Sequence, residues 1–356
     1  MEITTSKSIQ KNVEELLPYP PSFIDRFMLS VGRLPIAFWL TYFILFTLQS
    51  VVNHIVSWMD GWLPIFTFNA IMLIFPLWQW GTLAIMTYLN RVSEASLSSF
   101  RPLLNLVDDE AVRKVKFEFT TMPTSGVLLN GTVWIVVYVV LTYLTYSAFY
   151  VQYGLGTPMQ VFIFLQGLIC YATGGAIYYH SLRQLFLVHR MVNMTKHLDL
   201  FQLEPVYAFS RLTSRTGIAW IVLFLMTLIM FPLRFASGIM MSIWGIQLVL
   251  AVAAFVLPLR SVNHYLVLEK RRLLAEHQRR VESTLARLHN YIDQNQLSEV
   301  GPLNNALSGL NMERTILEKI PTWPWRTDTL TGFLSATVLP ILLFLIQNIL
   351  RKWLGG

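Results

Sequence analysis

The sequence predicts an all-α integral membrane protein with seven transmembrane helices and a long cytoplasmic helical hairpin between the sixth and the seventh. Of its 356 residues, 54% are apolar and only 13% are charged, about half the charged share of an ordinary soluble domain. The mean hydropathy is +0.51, so a soluble domain of this length could not bury its apolar side chains. These side chains also fall into separate runs of membrane-spanning length.

Seven runs approach the roughly 20 apolar residues that a helix needs to cross a bilayer. None of these runs contains Asp, Glu, Lys or Arg. The fifth run is the shortest, and we expect its helix to extend back to Ser214 or further. The predicted spans are Leu34–Ser57, Trp62–Leu89, Val127–Tyr150, Met159–His180, Gly217–Pro232, Gly238–Leu259 and Leu330–Leu350.

The basic residues lie on one side of these spans. Of the 27 lysines and arginines, 24 fall in residues 1–33, 90–126, 181–216 and 260–329. The positive-inside rule therefore predicts a cell-membrane protein whose N-terminus is cytoplasmic and whose C-terminus is extracytoplasmic. The lipid bilayer is its expected partner, and the net charge of +7 requires no nucleic acid.

The spans divide the chain into four parts. These are a cytoplasmic N-terminal segment with an interfacial helix (1–33), a six-helix transmembrane bundle (34–259) with cytoplasmic loops 90–126 and 181–216, a cytoplasmic helical hairpin (260–329), and the seventh helix with an external C-terminus (330–356). In the first part, Ser22 and Asp25 have the spacing of a capping box. This spacing predicts a short amphipathic helix over Phe23–Val31.

The hairpin is predicted from the segment after the sixth span. From Ser261 to Ile292 there is no Gly or Pro, and apolar residues recur three or four positions apart, as in a helix with one apolar face. Residues 302–320 have the pattern of a returning helix that ends at Pro321. The hairpin is either a solvated stalk or short coiled coil within one chain, or an oligomerisation module beneath the membrane.

Several classes of chemistry have no counterpart in the sequence. There is no GxxxxGK[ST] phosphate loop, no HExxH zinc helix and no GxSxG nucleophile turn, and the sole cysteine, Cys170, lies in an apolar run. We therefore expect no enzyme, no catalytic residue, no cofactor and no metal. The predicted spans also lack the carboxylates typical of ion-coupled transporters.

Polar uncharged side chains near the outer end of the first span are the first candidate site. Gln49, Asn53 and His54 share one face of the predicted helix. They form either the floor of an outward-facing ligand pocket or an interhelical hydrogen-bond patch. The pattern indicates no particular ligand.

The last predicted span carries the second candidate site. Thr331 and Ser335 lie one helical turn apart in its cytoplasmic half, and Gln347 lies near its outer end. Such a helix could line an uncharged pore if several copies surrounded one axis. Alternatively, the hydroxyls bond to their own backbone around a kink at Pro340.

The order of these elements resembles the seven-transmembrane ion channels typified by insect odorant and gustatory receptors. That family carries Thr-Tyr, five apolar residues and Gln-Phe in its last span. Here residues 340–348, PILLFLIQN, keep the five apolar residues and Gln347. The resemblance implies that cytoplasmic helices join four subunits, that the last span lines a cation pore, and that Gln347 lies in the outer part of that pore.

From these patterns we expect a channel-like or ligand-responsive, chemoreceptor-like homo-oligomer whose last helix lines a pore. Two other classes stay open: a non-conducting membrane scaffold or sensor that acts through its hairpin, and an uncoupled carrier of an apolar compound. A channel requires Thr331, Ser335 and Gln347 to face a shared axis. In a scaffold they would face their own bundle.

Overall fold

The protein is built from α-helices. The computed structural model describes residues 18–101, 109–146, 150–151, 154–194, 200, 204–230, 238–296, 298, 300–325 and 328–338. Within these ranges no strand is formed, and a single isolated bridge joins Pro21 to Pro123. The predicted all-helical class is confirmed.

The helices range in length from 10 to 56 residues. In chain order they are α1 (Phe23–Gly32), α2 (Phe38–Met59), α3 (Ile74–Phe100), α4 (Asp109–Thr120), α5 (Thr124–Tyr146), α6 (Thr157–Gly174), α7 (Ala176–Met194), α8 (Glu204–Met230), α9 (Gly238–Asp293) and α10 (Val300–Lys319). A short 3-10 turn, Ala70–Leu73, precedes α3. Residues 328–338 are also helical.

Five helical stretches are long and apolar enough to cross a membrane. They are Phe38–Met59, Ala70–Phe100, Thr124–Tyr146, Thr157–Met191 and Gly245–Asp293. They overlap the first four predicted spans and the sixth, which supports the prediction of a membrane protein with several spans. The fifth predicted span falls in α8, and the seventh begins in the helical residues 328–338. Residues 231–232 and 339–350 of those two spans lie outside the described residues.

The predicted start of the second span, at Trp62, is wrong. Residues 62–69 form a loop, and the helix begins only after Asn69, whose side chain accepts a hydrogen bond from Ile71 N at 3.1 Å. Pro64 lies within this segment, and Gly61 takes a positive φ of 76°. The apolar residues 62–69 therefore belong to a loop and are not part of a continuous transmembrane helix.

The segments expected as cytoplasmic loops are largely helical. α3 continues past Leu89 to Phe100, α4 occupies the middle of residues 90–126, and α7 continues to Met194. Charged residues in these stretches end the apolar runs but do not end the helices, because Arg, Lys and Glu are themselves good helix formers.

The fourth predicted span is divided between two helices. α6 ends at Gly174 and α7 begins at Ala176. A side chain on the intervening Gly175 would collide with the indole of Trp134 and with Tyr171 O. A glycine at this position therefore lets α5 pack closely against the junction.

The sixth predicted span and the first hairpin helix form one continuous helix. α9 has 56 residues and passes through Pro258 without ending. α10 runs back along it: Lys270 Nζ donates to the carbonyls of Glu318 and Ile320 at 2.8 Å each. Nearer the bundle, Asn263 Nδ2 donates to the carbonyl of Thr322 at 2.9 Å. These bonds join α9 to the segment where α10 ends.

Candidate functional site

The structure places Asn53 and Gln49 in bonds between helices. Asn53 Nδ2 donates to Met72 O at 2.9 Å, and Gln166 Nε2 donates to Asn53 Oδ1 at 2.7 Å. Gln49 Oε1 accepts from Trp80 Nε1 at 2.5 Å. These contacts tie α2 to α3 and α6. These contacts correspond to the interhelical hydrogen-bond patch, which was the alternative to a ligand pocket in the sequence analysis.

His54, the third pocket candidate, is buried beneath the loop that precedes α3. Its Nδ1 bonds to Ser50 O at 2.8 Å, and its Nε2 accepts from Asn69 N at 3.2 Å. The ring of Phe68 stacks on the imidazole with centroids 5.2 Å apart. His54 therefore holds the loop to the end of α2.

The two pore candidates that the structure describes lie on the exposed side of the last helical segment, residues 328–338. Thr331 and Ser335 are both exposed, whereas Phe333 and Thr337 are buried against the chain's own helices. Thr337 Oγ1 donates to Phe333 O at 2.7 Å. The hydroxyl stripe thus faces away from its own bundle. Gln347 lies outside the described residues.

A polar site that the sequence analysis missed surrounds the turn between α4 and α5, residues 119–123, here called the elbow. The last carbonyls of a helix have no partner within that helix. Gln184 Nε2 donates to Phe119 O at 2.8 Å, and Asn90 Nδ2 donates to Thr120 O at 3.1 Å. Side chains of α7 and α3 therefore supply the missing bonds.

The next two carbonyls of the elbow are bonded in the same way. Arg183 and Tyr19 both donate to Thr121 O, Tyr19 from its hydroxyl at 3.1 Å. Ser22 N donates to Met122 O at 3.2 Å. The guanidinium of Arg183 also lies over the Tyr19 ring, 5.1 Å from its centroid. Four successive carbonyls are thus bonded by three separate parts of the chain.

Asp25 fastens the N-terminal helix to this elbow. Only 1% of the residue is exposed, and its Oδ2 accepts from Ser22 N at 3.0 Å, Ser22 Oγ at 2.7 Å and Met122 N at 2.8 Å. Its Oδ1 has no hydrogen-bond partner within the described ranges. Burial raises the pKa of Asp25, and outweighs the opposing effect of these bonds and of Arg183.

Part of the elbow was visible in the sequence. The capping box of Ser22 and Asp25 is present as predicted, but no pattern in the sequence indicated that the same carboxylate bonds Met122. Asn90 and Gln184 meet only through folding, since 94 residues separate them. The signal that could have found the site is the polar pair His180 and Gln184, one turn apart at the end of an apolar run.

Four stacked aromatic rings connect the end of the hairpin to the last helical segment. Trp323 stacks on Trp325 with centroids 4.5 Å apart, and Trp325 stacks on Phe255 at 5.2 Å. Phe255 in turn stacks on Phe333 at 4.1 Å. Gly217 of α8 leaves room for this pair, because a Cβ there would lie 2.7 Å from the Phe333 ring. We call these four rings the aromatic stack.

The hairpin carries its own polar groove of about 300 Å³. It is lined by His277, Gln278, Val281, Asn304, Leu307, Ser308, Asn311 and Arg314. Among these lining residues, the buried His277 lies with Nδ1 3.4 Å from Glu313 Oε2. Among the described residues, no group of three or more His, Cys, Asp or Glu side chains could hold a metal ion.

Comparison with known proteins gives no match: no family model, no curated protein and no solved structure matches the chain.

Proposed function

We propose that the protein is a channel-like, homo-oligomeric membrane protein in which the last helix lines the permeation path. The observation that carries the proposal is the position of Thr331 and Ser335 on the exposed side of residues 328–338. Lipid gains nothing from a hydroxyl stripe, whereas a shared axis between several copies would give these hydroxyls polar surroundings. The packed side of the same segment holds Phe333 and Thr337.

The proposal includes the complete seven-span topology. In this proposal α8 and residues 328–338 would begin the fifth and seventh spans, and the concentration of basic residues supports a cytoplasmic hairpin and an external C-terminus. A tag at either terminus, probed with an impermeant antibody on intact cells, tests this orientation. Labelling of an N-terminal tag from the medium would overturn it.

Assembly would use the hairpin. Met312 and Ile316 of α10 are exposed, at 69% and 52%, whereas Leu317 on the same helix is buried. Two large apolar side chains one turn apart on a polar helix are typical of a surface that a partner helix covers. A second copy of the hairpin would cover them and bring the last helices together.

Recording in planar bilayers, combined with mass measurement of the purified protein, tests the proposal. In a Cys170→Ser background, Thr331→Cys and Ser335→Cys should each let a cationic thiol reagent reduce the current. The matched control is Thr337→Cys, which replaces a buried hydroxyl on the same helix and should not respond. A monomer without conductance would remove the channel.

A non-conducting scaffold or sensor is the second candidate. The exposed Met312 and Ile316 favour it equally, because a partner protein could cover them instead of a second copy. An oligomer that forms through the hairpin but carries no current would support this second function.

A further inference from the structure

The loop between α2 and α3 exposes three large apolar side chains at its tip. Ile65 is 69% exposed, Phe66 88% and Phe68 70%. No charged residue occurs from Trp62 to Asn90, so no charged side chain in this stretch makes the exposed surface hydrophilic. In water such a cluster would be unfavourable, because each apolar side chain keeps its surface hydrated.

The loop is nevertheless well ordered by its own bonds. Thr67 bonds to Pro64 O through its hydroxyl at 2.6 Å and its amide at 3.0 Å. Trp58 Nε1 donates to Thr67 O at 2.9 Å. These bonds hold the tip in one conformation that points Ile65 and Phe66 outward.

The backbone at the tip adopts an uncommon conformation. Phe66 has a φ of 65°, the left-handed region that bulky residues rarely enter because Cβ approaches the backbone. A residue is held there only when its surroundings determine it, and such positions concentrate at sites with a role. Glycine would relieve the strain at this position, but it would also remove the exposed ring.

From this geometry we infer that the loop tip is a membrane-anchoring hook whose partner is the interfacial zone of the adjoining lipid leaflet. Two features select lipid as the occupant. The tip continues directly from α2 and α3, two of the helices fit to cross the membrane. It is also flanked by Trp58 and Trp62, and aromatic residues concentrate where headgroups meet acyl chains.

The hook would fix the depth of α2 in the bilayer. His54 stacks on Phe68 and bonds to Asn69. These contacts couple the position of the loop tip to the end of α2. This inference depends only on the membrane helices and stays valid if the protein conducts no ions.

Site-directed fluorescence quenching tests the hook on the full-length protein in phosphatidylcholine vesicles. Cys170 is the sole cysteine, so Cys170→Ser gives a background in which Phe66→Cys can carry an environment-sensitive dye. We expect quenching by lipid spin-labelled near the top of the acyl chain to exceed quenching by aqueous iodide several-fold. Ile65→Cys repeats the test if the first variant does not fold.

Two matched positions calibrate the result. Tyr143→Cys, on the exposed side of the membrane helix α5, should be quenched by lipid, and Ser283→Cys, an exposed position on the hairpin, by iodide. A tip that behaves like the Ser283 position lies in water, which overturns the proposal. A tip that neither agent quenches is covered by protein, and this too overturns it.

Discussion

The elbow and the aromatic stack have the same structural role but are stabilised by different forces. Each holds a non-bundle segment against the membrane helices: the elbow secures α1 and α4, and the stack secures the end of the hairpin. The elbow does so with directed hydrogen bonds to four successive carbonyls, and the stack does so with face-to-face contacts among four rings. Hydrogen bonds are lost when a donor or an acceptor is replaced by an apolar group, whereas ring contacts are lost when the side-chain volume is reduced.

The largest effect should come from removing volume in the stack. Phe255→Ala deletes a ring that is 2% exposed and contacts both Trp325 and Phe333. We expect a loss of about 3–5 kcal/mol in the free energy of unfolding, the usual cost of truncating a core phenylalanine. The midpoint of unfolding in mixed micelles with a denaturing detergent measures it. A loss no larger than that of an exposed substitution would show that the rings are not a packed unit.

A substitution that changes polarity but largely keeps the side-chain volume should destabilise the elbow more than the stack. Asn90→Leu removes the donor to Thr120 O and the acceptor that His180 Nε2 contacts at 2.5 Å, so we expect a loss of about 2–3 kcal/mol. Phe255→Leu, the matched swap in the stack, should cost only about 1–1.5 kcal/mol, because the position stays apolar and leucine retains most of the side-chain volume. Equal losses in the same unfolding assay would show that the elbow and the aromatic stack do not differ in the forces that stabilise them.

The third expected effect is a pH dependence confined to the elbow. Because burial raises the pKa of Asp25 above its ordinary value of 3.8, the folded state binds the proton more tightly than the unfolded state. The stabilisation is complete below that ordinary value and is lost as the pH rises through the raised pKa. Unfolding of the unsubstituted chain and of Asp25→Asn, measured across this window, should converge in acid. A pH profile identical in both proteins would contradict the assignment.

The smallest effect is expected on the hairpin surface. Arg314 Nε bonds to Glu318 Oε1 at 2.8 Å, one helical turn away, and both side chains are more than half exposed. Arg314→Ala should therefore change the free energy of unfolding by about 0.5 kcal/mol or less. A much larger change would mean that α10 is buried by a partner under the conditions of the assay.

Local composition predicted the membrane helices, because a charge-free run long enough to cross lipid is a property of adjacent residues. It also predicted that α9 would continue beyond its apolar half. The start of α3 was missed because Pro64 and Asn69 break the helix within an apolar run. Apart from the capping box of Ser22 and Asp25, the elbow could not be predicted, since Asn90 reaches the carbonyl of Thr120, and Tyr19 and Arg183 that of Thr121, only after the chain has folded.

α9 gives the molecule mechanical reach. Its 56 residues correspond to about 84 Å at 1.5 Å per residue, and crossing the bilayer uses only about 20 of them. A tilt of a few degrees where this rod leaves the lipid would move its far end by several ångströms. Small rearrangements among the membrane helices would thus be magnified into displacements of several ångströms at the far end of α9.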